Sequence, residues 1–143
     1  MVPHRDPILW LAVLSGPFGA ALWLQITGSH LEGSPELSLA SLVILVAAVP
    51  VVEEWFFRGL LQGYLLRRYW GGMHLGPLSL ANAMTAALFA ASHWPRGGMV
   101  LAAGVLLPGL LFGFFRERHD GLISPVILHA WYNTCVISMS YLK

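Results

Sequence analysis

Five long stretches of this chain, residues 8–26, 37–66, 78–93, 99–115 and 122–142, are built almost wholly from apolar side chains. That pattern limits the fold more than any other feature. A helix needs about 20 predominantly apolar residues to cross the hydrocarbon core of a bilayer, and only a structure that pairs its own backbone groups survives there. Composition agrees, with 57% hydrophobic and 10% charged residues against the usual charged share of about 25%. The expected fold is an all-α, polytopic membrane bundle of about five transmembrane segments, forming one domain over residues 1–143.

The connections are read from their breakers. Gly16-Pro17 kinks the first run, which is read as retained because no small-x-small cleavage site follows it. Residues 27–36, with Gly28, Gly33 and Pro35, form a loop. Arg67-Arg68-Tyr69-Trp70 is an interfacial anchor, residues 71–77 are a turn, and Trp94-Pro95-Arg96-Gly97-Gly98 breaks the third run. Gly59 and Gly63 form a small-xxx-small pair suited to helix packing, and Gly104, Pro108, Gly109 and Gly113 make the fourth run bendable. The stretch from Arg116 to Gly121 must be solvated. With the N-terminus inside, Arg5, Arg67, Arg68, Arg116 and Arg118 collect on the inner side, against Arg96 and Lys143 outside, which places the N-terminus in the cytoplasm. A net charge of +1 provides no basic surface for nucleic acid. The single Cys135 excludes an internal disulfide and reads as a packing residue. No oligomeric state is indicated.

Against this background the few intramembrane polar residues stand out, because such residues are expensive in lipid and mark function. Glu53 and Glu54 are adjacent in the second run, one turn after Pro50. Glu54 and Arg58 have the acid-first, four-residue spacing of a same-face ion pair. Glu53 is rotated by about 100° from Glu54 and faces something else; a carboxylate held out of water is one way to make a general base or acid. Pro50 removes a backbone donor and opens a carbonyl nearby. His93 follows Phe89 by one turn, and His129 and Asn133 share a helical face. With spans centred near Pro50, Ala90 and Tyr132, Glu53, His93 and His129 each lie about 5 Å from the centre, at depths compatible with one cavity. His4, His30, His74 and His119 fall in connections and receive no role.

These residues form three motifs: E-E-x-x-x-R at Glu53-Glu54-Trp55-Phe56-Phe57-Arg58, F-x-x-x-H from Phe89 to His93, and H-x-x-x-N from His129 to Asn133. In this order, in separate apolar segments, they resemble the CAAX protease and bacteriocin-processing (Abi) family, which includes the Ras-converting endopeptidases. The resemblance covers a motif core of residues 53–133. It implies a helical intramembrane endopeptidase of the glutamic type, needing no cofactor, that cuts a peptide bond near the C-terminus of a membrane-anchored protein. By that resemblance Glu53 and His93 activate a water, His129 and Asn133 stabilise the oxyanion, and Glu54, Arg58 and Phe89 support the site. It further implies a multi-pass protein of a prokaryotic inner membrane. The short chain suggests the small relatives that process proteins with C-terminal membrane-anchor sorting tails.

Two other readings of the same residues stay open at this point. Glu53, His93 and His129 suit a His2Glu zinc site of a membrane protease, although no H-E-x-x-H occurs. The motif residues also suit a hydrogen-bonded core in a non-catalytic membrane binding or immunity protein.

Overall fold

The computed structural model describes residues 2–28 and 38–141. It is helical almost throughout, with α1 (Pro7–Thr27), α2 (Leu39–Leu66), α3 (Leu80–Arg118) and α4 (Ile123–Ser140). The strands β1 (His74–Leu75) and β2 (Leu78–Ser79) pair antiparallel in a two-residue hairpin between α2 and α3, turning at Gly76 with a φ of +63°. His30, Gly33, Pro35 and Lys143, which entered the sequence reading, lie outside the described residues.

Helix ends fall where the local chemistry puts them. Asp6 caps α1 by accepting from the Ile8 N–H, and Gly28, in the left-handed region, closes it. Ser38 caps α2 and Ser79 caps α3, each accepting from the N–H three residues on. The third apolar run therefore becomes helical at Leu80, after β2, two residues later than the run itself begins.

α3 is one element in sequence but not one rod. Thirty-nine helical residues in line would measure about 58 Å, roughly twice the hydrocarbon thickness. Instead the backbone leaves helical geometry at Gly97 (φ −150°, ψ 21°) and Gly98 (φ 64°, ψ −160°). There it reverses, so that Ser79 Oγ donates to Glu117 Oε1 at 2.5 Å and Asn82 Nδ2 to the Leu110 carbonyl at 3.0 Å. The two arms, residues 80–96 and 99–118, run antiparallel. The helix persists through Trp94, Pro95 and Arg96, so the break is confined to the two glycines rather than spread over the five residues expected.

Among the described residues, three helices, α1, α2 and α3, are long and apolar enough to cross a membrane. The count of about five segments is therefore not established by the helices themselves. The third and fourth apolar runs are the two antiparallel arms of α3, counted there as one helix, and α4 is diluted by Ser124, His129, Asn133 and Thr134, the last three in the stretch that carries its polar motif.

The second arm of α3 is laid against α2 by a repeated polar contact. Arg58 Nη2 donates to the Gly109 carbonyl at 2.8 Å, and one turn on Gln62 Nε2 donates to the Gly113 carbonyl at 3.0 Å. Two donors one turn apart thus meet two carbonyls one turn apart. The glycines permit this approach: a Cβ on Gly109 would lie 3.4 Å from Arg58 Nη2 and one on Gly113 3.0 Å from Gln62 Oε1, while on its other side Gly113 admits Asn82 of the first arm, whose Oδ1 an added Cβ would meet at 2.0 Å. Gly63, by contrast, has nothing within 4 Å of an added Cβ, and at Gly59 the nearest neighbour from another helix is Leu122, at 3.3 Å. The close packing expected of the Gly59/Gly63 pair is made by Gly109 and Gly113 instead. Ala12, Phe112, Phe115 and Leu128 form the apolar centre between α1, the second arm and α4.

Candidate active site

The site is assembled around one histidine between two carboxylates. α2 places Glu54 fully inside and leaves Glu53 17% exposed, the consequence of their 100° offset. Glu54 Oε1 accepts from Arg58 Nη1 at 2.9 Å and faces His129 Nδ1, from α4, at 2.8 Å. Glu53 Oε2 stands 3.8 Å from His129 Nε2. The pair expected from the spacing of Glu54 and Arg58 is formed, both side chains being inaccessible to solvent. Around Arg58 and His129 the aromatic packing is dense. The guanidinium lies 4.4 Å from the Phe89 ring centre, and the His129 imidazole stacks on Phe112 at 5.1 Å.

Hydrogen-bond logic assigns the protons. A carboxylate can only accept, so His129 Nδ1 carries a proton toward Glu54. A neutral His129 then presents a bare Nε2 toward Glu53; Nε2 is a donor only in the imidazolium. His93 Nδ1 lies 2.8 Å from the Phe89 carbonyl, which likewise can only accept, so Nδ1 is the donor and Nε2 of the neutral ring keeps its lone pair. The four-residue interval from Phe89 to His93 serves two purposes. It supplies that carbonyl, and it sets the rings 4.6 Å apart.

Asn133 lies one turn beyond His129, and Nδ2 donates to the Leu45 carbonyl at 2.9 Å. The reason this carbonyl is open lies in α2. Residues Ile44–Ala48 form a wide, π-type turn in which the Val49 N–H bonds to the Ile44 carbonyl, and the next residue, Pro50, has no N–H to give to Leu45. The carbonyl opened by Pro50 is thus taken by Asn133.

A cavity of about 890 Å³ lies beside these groups, at the upper part of the range for small-molecule pockets. Phe89, His93, His129 and Asn133 line its polar end, and apolar side chains such as Trp23 and Leu107 line the rest. Among the described residues no hydrogen bond or ion pair joins His93 to Glu53 or His129; Phe89 lies between the two imidazoles, 5.9 Å from His129. Nor do three His, Cys, Asp or Glu side chains among the described residues gather as a metal-binding set. The His2Glu zinc arrangement of Glu53, His93 and His129 is therefore not assembled, because His93 is turned onto its own helix.

The model of the type II CAAX prenyl endopeptidases, Rce1-like, matches residues 35–135. The chain belongs to this Rce1-like family. An Escherichia coli protein described as an uncharacterized 24.3 kDa protein is 36% identical over 119 residues, covering 83% of this chain and 49% of the relative. The chain thus spans about half the length of that curated relative. No solved structure matches. The family is one of membrane proteases, and this Rce1-like chain is accordingly an integral membrane protein of a hydrolase family.

Three residues at or beside this constellation were not singled out from sequence. Gln62 continues the stripe Glu54, Arg58, Gln62 at four-residue intervals, a signal present but unused. Phe112 has no sequence mark among so many apolar residues. Arg96, read above as part of the break after the third run, brings Nη1 to 3.6 Å from Glu53 Oε1, a contact that only the helical continuation past His93 makes visible.

Proposed function

We propose that this chain is an intramembrane endopeptidase of the glutamic type that hydrolyses a peptide bond near the C-terminus of a membrane-associated protein. The observation that carries the reading is His129 held between Glu53 and Glu54 at the wall of a cavity that His93 and Asn133 also line. Glu53 takes one proton of the attacking water, whose other hydrogen is held by the lone pair of His93 Nε2. The water oxygen attacks the peptide carbonyl, and the developing negative charge is met by the Nε2–H of a protonated His129 and by the second Nδ2–H of Asn133. The proton then passes to the departing amine as the C–N bond breaks. Glu54 and Arg58 do not react; Glu54 fixes the orientation of His129 and compensates its charge. The apolar lining by Trp23, Leu107 and their neighbours suits a lipidated or apolar C-terminal tail. The N-terminus lies in the cytoplasm of a prokaryotic cell.

The test uses purified protein in nanodiscs and a quenched, S-farnesylated CAAX peptide. Glu53→Gln and His93→Ala should each lower kcat by about 10²–10⁴-fold, and His129→Ala by about 10²–10³-fold or more, with folding retained. Exhaustive chelation should leave the wild-type rate unchanged. A Glu53→Gln variant that cleaves at the native rate would defeat this mechanism.

A further inference from the structure

The Glu53 carboxylate has an outward partner that the hydrolytic scheme leaves without a role. Arg96 stands on the last helical turn before the reversal at Gly97 and Gly98. Its Nη1 lies 3.6 Å from Glu53 Oε1, and its side chain is 68% exposed. That separation is longer than a hydrogen bond. Arg58 is bound quite differently, at 2.9 Å from Glu54 with a second bond to the Gly109 carbonyl. One arginine is fixed in the interior; the other is loosely attached at the surface and exchanges partners at little cost.

The two oxygens of Glu53 therefore face different groups, Oε2 toward His129 and Oε1 toward Arg96. A general base needs a lone pair aimed at the water it deprotonates, and a cation resting on Oε1 competes for it. An anion offered to Arg96 would remove that competition. The planar guanidinium pairs best with a carboxylate, through two parallel hydrogen bonds. A protein cut near its C-terminus brings one, its terminal α-carboxylate, a short distance past the bond to be broken. Two or three extended residues span roughly 7–11 Å, a distance compatible with an exposed arginine side chain swinging away from Glu53. A bond in the middle of a long chain offers no such anion.

We propose that Arg96 is a specificity-determining residue that receives the free C-terminal carboxylate of the substrate and, by leaving Glu53 Oε1, opens it to the attacking water. This rests on the endopeptidase reading above. Hydrolysis consumes one water, forms a C–O bond and breaks the C–N bond. The proton removed from water ends on the new amine, and the short peptide departs from Arg96 with its own carboxylate intact.

The experiment compares two S-farnesylated CAAX peptides, identical except that one ends in a free acid and the other in an amide, with the full chain in nanodiscs. Reduced-amide versions that cannot be cut report binding alone. Wild type should favour the acid in kcat/KM by about 10–100-fold, as expected for hydrogen bonds to a charged group. Arg96→Gln should bring the ratio near one, and Arg96→Lys should recover part of the preference. A merely structural Arg96 would lower both rates together. Equal use of acid and amide by wild type, or a preference that survives in Arg96→Gln, overturns the proposal. If wild type cuts neither peptide, the endopeptidase reading fails for this substrate class and the reduced-amide pair decides on Arg96. Acid-selective binding lost in Arg96→Gln supports it, and binding indifferent to the carboxylate overturns it.

Discussion

Arg58 offers the sharpest test of how the site is held together, because its removal and its paired replacement have opposite expectations. Arg58→Ala strips Glu54 of the 2.9 Å contact to Nη1 and leaves the Gly109 carbonyl without the donor at 2.8 Å. Both side chains are fully buried, so Glu54 becomes a charge out of reach of water with His129 as its remaining polar partner. Breaking a buried pair from one side costs about 3–5 kcal/mol, a large part of the roughly 5–15 kcal/mol that typically separates folded from unfolded states. At about 2–4 °C per kcal/mol for a chain of this size, the unfolding midpoint should fall by roughly 6–20 °C in detergent, read by tryptophan fluorescence or scanning calorimetry. The double variant Glu54→Gln/Arg58→Met removes both charges while conserving most of the volume. It should regain most of the lost stability. Peptide cleavage should not return with it, because a protonated His129 no longer has a carboxylate on Nδ1. Two results would refute this reasoning: an Arg58→Ala protein melting within a few degrees of wild type, or a double variant no more stable than Arg58→Ala.

The glycine contacts and the N-terminal cap give two further expectations. Gly113→Ala would drive a Cβ to 2.0 Å from Asn82 Oδ1 and should push the two arms of α3 apart. Gly63→Ala, with nothing within 4 Å, should gain about 1 kcal/mol of helix propensity; parallel thermal unfolding of the two separates packing glycines from incidental ones. Asp6, at the entry to α1, has its pKa lowered from 3.8 to about 2, foremost by the hydrogen bond from Arg118, with burial opposing and His119 and the Ile8 N–H assisting. A depressed carboxylate adds stability above its unfolded pKa and loses it as pH falls through the folded one. The wild-type midpoint should therefore decline between about pH 4 and pH 2, and Asp6→Asn should flatten that decline while costing about 1 kcal/mol at neutral pH, once solvent screening is allowed for.

Much of the site was readable before any coordinates, for a reason specific to helices. Intervals of four residues place side chains on one face whatever the helix later packs against. Glu54 with Arg58, Phe89 with His93, and His129 with Asn133 were therefore associated within their own segments, and the offset of Glu53 from Glu54 separated an exposed from a buried carboxylate. Pro50 announced an open carbonyl nearby because proline lacks an N–H wherever it stands. The elements were less completely readable: Gly97-Gly98 signalled a break, but apolar runs do not reveal that helix persists through Pro95 and Arg96 up to the first of those glycines.

By itself, then, the order of residues determined a helical membrane protein and the local faces that its polar groups share, since both follow from short-range geometry and from the cost of unpaired polarity in lipid. Only the tertiary structure decided which groups meet across helices. It set His129 against both glutamates, gave Asn133 the Leu45 carbonyl 88 residues away, turned His93 onto its own backbone and brought Arg96 to Glu53. Those meetings depend on how closely the helices approach. That in turn rests on Arg58 and Gln62 finding the carbonyls of Gly109 and Gly113, a match between distant segments that no spacing within one helix encodes.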